Sequence, residues 1–183
     1  MISGYLQQKM QNEFNQEKYD KIMSREELVD RYEDALGAYL VRLNTKALSD
    51  KETKIAARYL SCLTNLERIS DHAVNLAEAA KEMHEKKVNF SEAAKAELEV
   101  LEQAVLDMLA KVASAFENTD LQKAMKVEPH EEVIDALVRE VKSRHVRRLR
   151  DGKCTVEYGF VLDDLLTSYE RIADHCSNIA AEM

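Results

Sequence analysis

Glycine, proline and tryptophan are scarce, with four Gly, one Pro and no Trp in 183 residues. At ordinary usage of about 7% Gly and 5% Pro, a chain of this length would carry roughly twenty of the two together. Too few turn-forming residues remain for a many-stranded sheet or a glycine-rich phosphate loop. No apolar run approaches the roughly 20 residues of a membrane span, while a hydrophobic content of 45% is too high for a disordered chain. Positive charge is in deficit: 26 Lys and Arg face 34 Asp and Glu, for a net charge of −8. A nucleic-acid binder needs a concentrated basic face to displace counterions, so nucleic acid is not an expected partner. Cys62, Cys154 and Cys176 form neither a CxxC pair nor an even disulfide set, and no secretion signal opens the chain. These absences leave a soluble, helical, cytoplasmic protein of one globular unit or two small ones.

Apolar residues recur at three- and four-residue spacing almost throughout, so the breaks define the helices. The pattern predicts a short helix over residues 2–16 and a second over 24–46, with Ser24 and Glu27 at capping-box spacing and an earlier start near Glu17 as the alternative. Ser49 and Glu52 open a third helix through residue 86, and Ser91 caps a fourth reaching 117. A fifth follows Asn118-Thr119-Asp120, tolerates Pro129 near its first turn, and stops at Asp151-Gly152. Residues 155–182 form the sixth.

The chain repeats itself. Glu67-Arg68-Ile69-Ser70-Asp71-His72-Ala73-Val74-Asn75-Leu76-Ala77 returns as Glu170-Arg171-Ile172-Ala173-Asp174-His175-Cys176-Ser177-Asn178-Ile179-Ala180. Core packing alone has no reason to choose the shared Glu, Arg, Asp, His and Asn. A weaker match sets Asp30, Asp34, Ala35 and Leu36 against Glu131, Asp135, Ala136 and Leu137. Each half thus carries acidic i, i+4 pairs on two successive helices, along the edge of an apolar arc.

In an antiparallel pair, residues equally distant from the turn sit level. Glu131 with Asp174, and Asp135 with Glu170, centre on Gly152 and Lys153. Asp30 with Asp71, and Asp34 with Glu67, centre on Asp50 and Lys51. Facing stripes would gather four carboxylates per half, a charge that cations, protons or Arg must neutralise. Carboxylate oxygens suit Mg, Mn, Fe or Zn. Acidic pairs are also common on solvated helix faces, where Arg68 or Arg171 would pair with them. His72 and His175 lie away from the stripe and read as interhelical hydrogen-bonding residues. No His has the Glu three residues before it that di-iron bundles require, HExxH is absent, and the cysteines form no nucleophile constellation. The sequence offers no catalytic set; a metal-binding or metalloenzyme bundle using the same carboxylates is the alternative function.

The duplicated Glu-Arg-Ile-x-Asp-His segments resemble the signature of PhoU domains over nearly the whole chain. The ordered set Asp30-Arg31-Tyr32-Glu33-Asp34-Ala35-Leu36, Leu48-Ser49-Asp50-Lys51-Glu52 and Leu66-Glu67-Arg68-Ile69-Ser70-Asp71-His72-Ala73 is similar to the PhoU-like cytoplasmic domain of bacterial sodium/phosphate cotransporters. The resemblance implies an all-α fold of two tandem antiparallel three-helix bundles, residues 1–88 and 89–183, the first helix of the first bundle being short. It also implies regulation of phosphate transport and homeostasis, not catalysis. The implied partner is a membrane-embedded phosphate transporter domain, on the same or a separate chain, or a signalling protein, met at the inner face of the cell membrane. Some members carry metal clusters at (E/D)xxxD motifs. Carried over, this nominates Asp30, Asp34, Glu67 and Asp71 in the first half and Glu131, Asp135, Glu170 and Asp174 in the second, for Fe, Zn, Mn or Mg. Either Met1 follows a transporter's spanning helices or the protein is naturally separate. A short first helix would leave Tyr32, Leu36 and Leu40 partly uncovered, so a homodimer is expected.

Overall fold

In the computed structural model, residues 14–46 and 48–183 are described, and they form helices and connecting turns only. The helices are α1 (Gln16–Asn44), α2 (Asp50–Glu85), α3 (Glu92–Asn118), the single turn α4 (Leu121–Ala124), α5 (Glu128–Arg150) and α6 (Val156–Ala181). The predicted helix over 2–16 lies outside the described residues, apart from its last three positions. None of the described helices is long and apolar enough to cross a membrane.

Local chemistry sets the ends. Ser49 and Glu52 form the reciprocal capping box, with Ser49 N–H donating to Glu52 Oε2 at 2.8 Å. Ser91 and Thr155 cap α3 and α6 through their side-chain oxygens. Pro129 falls in the first turn of α5, where its missing N–H removes no helical bond. Gly152 takes φ +66° after α5, the left-handed geometry a non-glycine residue resists. Two boundaries differ from the sequence pattern. α1 begins at Gln16 because Asn15 Oδ1 accepts from Lys18 N–H at 3.0 Å; the following residues contain no breaker, and Ser24 sits inside the helix with Oγ donating to the Lys21 carbonyl. The stretch after Asp120 forms α4 before α5 starts, because Asp120 caps a separate turn.

Three helices of the second half, α3, α5 and α6, all pack on one another, and α1 pairs with α2. The largest helix interface is α2 against α6, the two helices that carry the repeat. They run antiparallel: Asn65 reaches His175 and Asn178, while Asn75 and Glu82 share a groove with Ser168 and Asp164. His72 and His175, equivalent in the repeat, stack at the crossing with ring centroids 5.8 Å apart and planes inclined by 26°. An approximate two-fold axis therefore passes between the two imidazoles. Leu165, Leu166, Tyr169 and Ile172 of α6 are fully buried with Leu101, Val105 and Met108 of α3. Roughly 1.5–3 kcal/mol per buried aliphatic side chain makes α6 the helix on which the rest is assembled.

Candidate metal centre

Two trios of carboxylates converge among the described residues. In the second half Glu131 and Asp135, one turn apart on α5, meet Asp174 on α6; in the first half Glu26 and Asp30 on α1 meet Asp71 on α2. Within each trio, one oxygen per residue lies within 4.8 Å of the others. Glu131, Asp135 and Asp174 stand together as the hairpin turn predicts, because α5 and α6 are joined by residues 151–155, centred on Lys153.

The first half departs from the sequence register by one helical turn. The connection between α1 and α2 covers residues 45–49, all of it before the Asp50–Lys51 centre assumed from the sequence. An earlier centre brings Glu26 level with Asp71, and the same register sets Gly37 against Leu60, whose Cδ1 lies 3.9 Å from where a Cβ would stand. Glu26-x-x-x-Asp30 is therefore the counterpart of Glu131-x-x-x-Asp135. Sequence reasoning missed Glu26, although its spacing to Asp30 copies the second-half pair. Asp34 is exposed and belongs to neither trio. Glu67 and Glu170 are half-buried and also outside the trios.

Arginine neutralises part of each cluster. Arg68 lies 3.6 Å from Asp71 and 3.5 Å from Glu67, and Arg171 lies 3.2 Å from Asp174. Arg139 approaches Asp135 at 3.5 Å. All these guanidinium groups are more than half exposed, where an ion pair contributes about 0–1 kcal/mol. What remains is felt by the acids. Burial, then the charges of Asp30 and Asp71, push the Glu26 carboxyl above its ordinary range. Burial, then Asp135 and Asp174, do the same to Glu131. Burial followed by Asp71 raises Glu67, against the pull of Arg68.

One further observation singles out the trios. Asp30 Oδ1 and Asp135 Oδ1 are shut off from solvent and accept no hydrogen bond. They are the same atom in the two halves once the register is corrected. A buried carboxylate oxygen without a donor costs free energy unless a proton or cation meets it. Three carboxylates with an orphaned oxygen suit a hard or intermediate divalent cation, so the residues present fit such an ion. The histidines play another part: His175 Nδ1 donates to Asn65 Oδ1 at 2.9 Å across the α2–α6 interface, and both rings lean on each other outside the trios. Burial is the main cause that lowers both imidazoles from their ordinary value, and the partner imidazole adds to it at His72.

The PhoU domain family profile matches residues 9–80 and 98–183. The chain is 27% identical over 151 residues to the phosphate-specific transport system accessory protein PhoU homolog 1 of Thermotoga maritima, covering 75% of this chain but 64% of that protein. It thus spans less than two thirds of that relative's length. With the phosphate-specific transport system accessory protein PhoU homolog of Streptococcus pneumoniae it shares 23% identity over 172 residues, 92% of this chain and 77% of the relative. Among solved structures, PhoU from Pseudomonas aeruginosa superposes with a TM-score of 0.84 at 18% identity, over 99% of this chain and 89% of that one. The phosphate transport system regulatory protein PhoU from Streptococcus pneumoniae gives 0.79 at 19%, over 99% and 87%. These two likenesses show the helical-bundle fold, and with the duplicated helices and the profile match they place the chain in the PhoU domain family.

Proposed function

We propose that the protein regulates phosphate transport from the cytoplasmic side of the membrane, through contact with a membrane-embedded phosphate transporter and without catalysing a reaction. Family membership supports the regulatory role, and the accessory proteins named above offer an analogy for it. The transporter is either of the sodium/phosphate cotransporter kind, as the ordered first-half motifs suggest, or a phosphate-specific transport system. An apolar surface is available for that contact: Tyr32, Leu36 and Tyr39 of α1 and Tyr59 of α2 are exposed by 44–61%. Patches of this kind mark protein interfaces, and a second copy of the chain is the other occupant in keeping with the expected homodimer.

Each carboxylate trio holds one divalent or iron-type cation in this reading, with Glu26, Asp30 and Asp71 for one ion and Glu131, Asp135 and Asp174 for the other. The ion would neutralise like charges that otherwise repel across each hairpin, and so fix the spacing of α1 on α2 and of α5 on α6. The carrying observation is the matched pair of orphaned oxygens on Asp30 and Asp135. Phosphate uptake in cells lacking the protein tests the role. Uptake that no longer responds to phosphate supply, restored by the wild-type chain but not by a Tyr32→Ser, Tyr39→Ser variant, is expected. An unaltered response in the deletion strain would remove the reading. Metal turnover chemistry abolished by Asp71→Ala and Asp174→Ala would favour a metalloenzyme instead.

A further inference from the structure

The two-fold relation between α2 and α6 fails at one pair of residues. Asn65 stands two residues before Glu67, and Ser168 two before Glu170, so they are equivalent in the repeat. On the first side, Asn65 Oδ1 accepts from His175 Nδ1 at 2.9 Å and from Asn178 Nδ2 at 3.3 Å, which ties the helices together. On the second side, the shorter Ser168 is 4% exposed, lines the groove, and its hydroxyl makes no hydrogen bond to another described residue. His72 and Asn75, equivalents of His175 and Asn178, hydrogen-bond to each other within α2 instead, at 3.4 Å. The space an asparagine would fill is an open groove of about 280 Å³ between α2 and α6.

Its walls are chemically one-sided. Glu78, Glu82 and Asp164 add carboxylates to the Ser168 and Thr167 hydroxyls. Asn75 Nδ2 engages His72, and its carbonyl oxygen adds an acceptor to the groove wall. Among the described residues, the cation bound to these walls is Lys86, on Glu82 at 2.6 Å, and it is largely exposed. Unlike the two trios, these carboxylates do not converge within 4.8 Å of one another, which disfavours a bare metal ion. Several acceptors spread around a cleft match a flat cation with several fixed donors.

We propose that this groove is a binding site for a guanidinium group, inserted between Ser168 and Asn75 and neutralised by Glu78, Glu82 and Asp164. The site goes beyond the metal and transporter readings and does not depend on either. The group comes either from a free small molecule or from an arginine side chain of another protein.

Amide NMR of the whole protein at physiological salt tests it, with agmatine as the free probe and acetyl-Gly-Arg-Gly-amide as the peptide probe. Saturable shifts at Asn75, Thr167 and Ser168 are expected for at least one. Agmatine alone would assign a small-molecule source, and the peptide alone a protein source. Ser168→Asn keeps every charge yet supplies the bridge present on the other side, so affinity should drop by roughly tenfold or more. Asp164→Asn with Glu78→Gln, both at exposed positions, gives the same loss if the first variant does not fold. Absence of saturable shifts with both probes would overturn the proposal. So would equal affinity in wild type and variant, which marks non-specific attraction to an acidic surface.

Discussion

The two hairpins that carry the acidic trios are packed very differently. α5 buries Ile134, Val138, Val141 and His145 and is held to α3 by Arg148, whose guanidinium donates to both Glu97 oxygens at 2.8 and 2.9 Å. α1, six residues longer at 29 against 23, buries Ile22 alone and leaves Tyr32, Leu36 and Tyr39 in solvent. Yet both hairpins present Glu-x-x-x-Asp to an Asp on the next helix, with the same carboxylate oxygen orphaned. Packing has diverged where the carboxylates have not. Core packing therefore does not account for the trios, and the exposed apolar face of α1 is the surface that the proposed partner contact would cover.

The largest expected effect on this contrast comes from trimming one leucine in each half. Leu165→Ala opens a cavity in the α6 core and should cost about 3–4 kcal/mol, while Leu36→Ala, 44% exposed, should stay within about 0.5 kcal/mol; urea denaturation midpoints read both. Next is Glu97→Gln. It leaves Arg148, with 14% side-chain exposure, short of its carboxylate and should cost about 3 kcal/mol in the same measurement.

Glycine substitutions should act in opposite directions. A Cβ at Gly159 would lie 2.9 Å from Nε2 of the buried His145, so Gly159→Ala should lose about 1–2 kcal/mol. Gly37 has ordinary room beside Leu60, and Gly37→Ala should gain about 0.5–1 kcal/mol from helix propensity. The smallest effect is a pH response of the α2–α6 crossing. His72 and His175 stay neutral in the fold to lower pH than in the unfolded chain, chiefly through burial. Their contribution is full above the unfolded value of 6.5 and is lost as pH falls below it toward the depressed folded values. Thermal melts from about pH 7 to 5.5 should show a decline that is shallower in His72→Gln, His175→Gln.

Much of this was legible in the residues. The caps at Ser49 and Ser91, the stop at Gly152 and the repeat around Asp71 and Asp174 follow from local chemistry that tertiary contacts leave alone. Register in the first half was not. An α-helix presents nearly the same face every four residues, so sliding α1 by one turn keeps Asp30 on the acidic edge while exchanging Glu26 for Asp34 as its companion. The run Asp34-Ala35-Leu36 resembles Asp135-Ala136-Leu137 closely enough to favour the wrong slide, and the turn at 45–49 decides between them. The break in symmetry at Asn65 and Ser168 lies two residues before the repeat as read from the sequence. Its consequence appears only when α2 and α6 cross at His72 and His175.

Calorimetric titration of metal-stripped protein with Mn²⁺, in wild type, Glu26→Gln and Asp34→Asn, tests the matched trios most directly. Two sites in wild type, one lost in Glu26→Gln and both kept in Asp34→Asn, is the predicted result. Binding that is absent from wild type, or lost with Asp34→Asn and retained with Glu26→Gln, would contradict it.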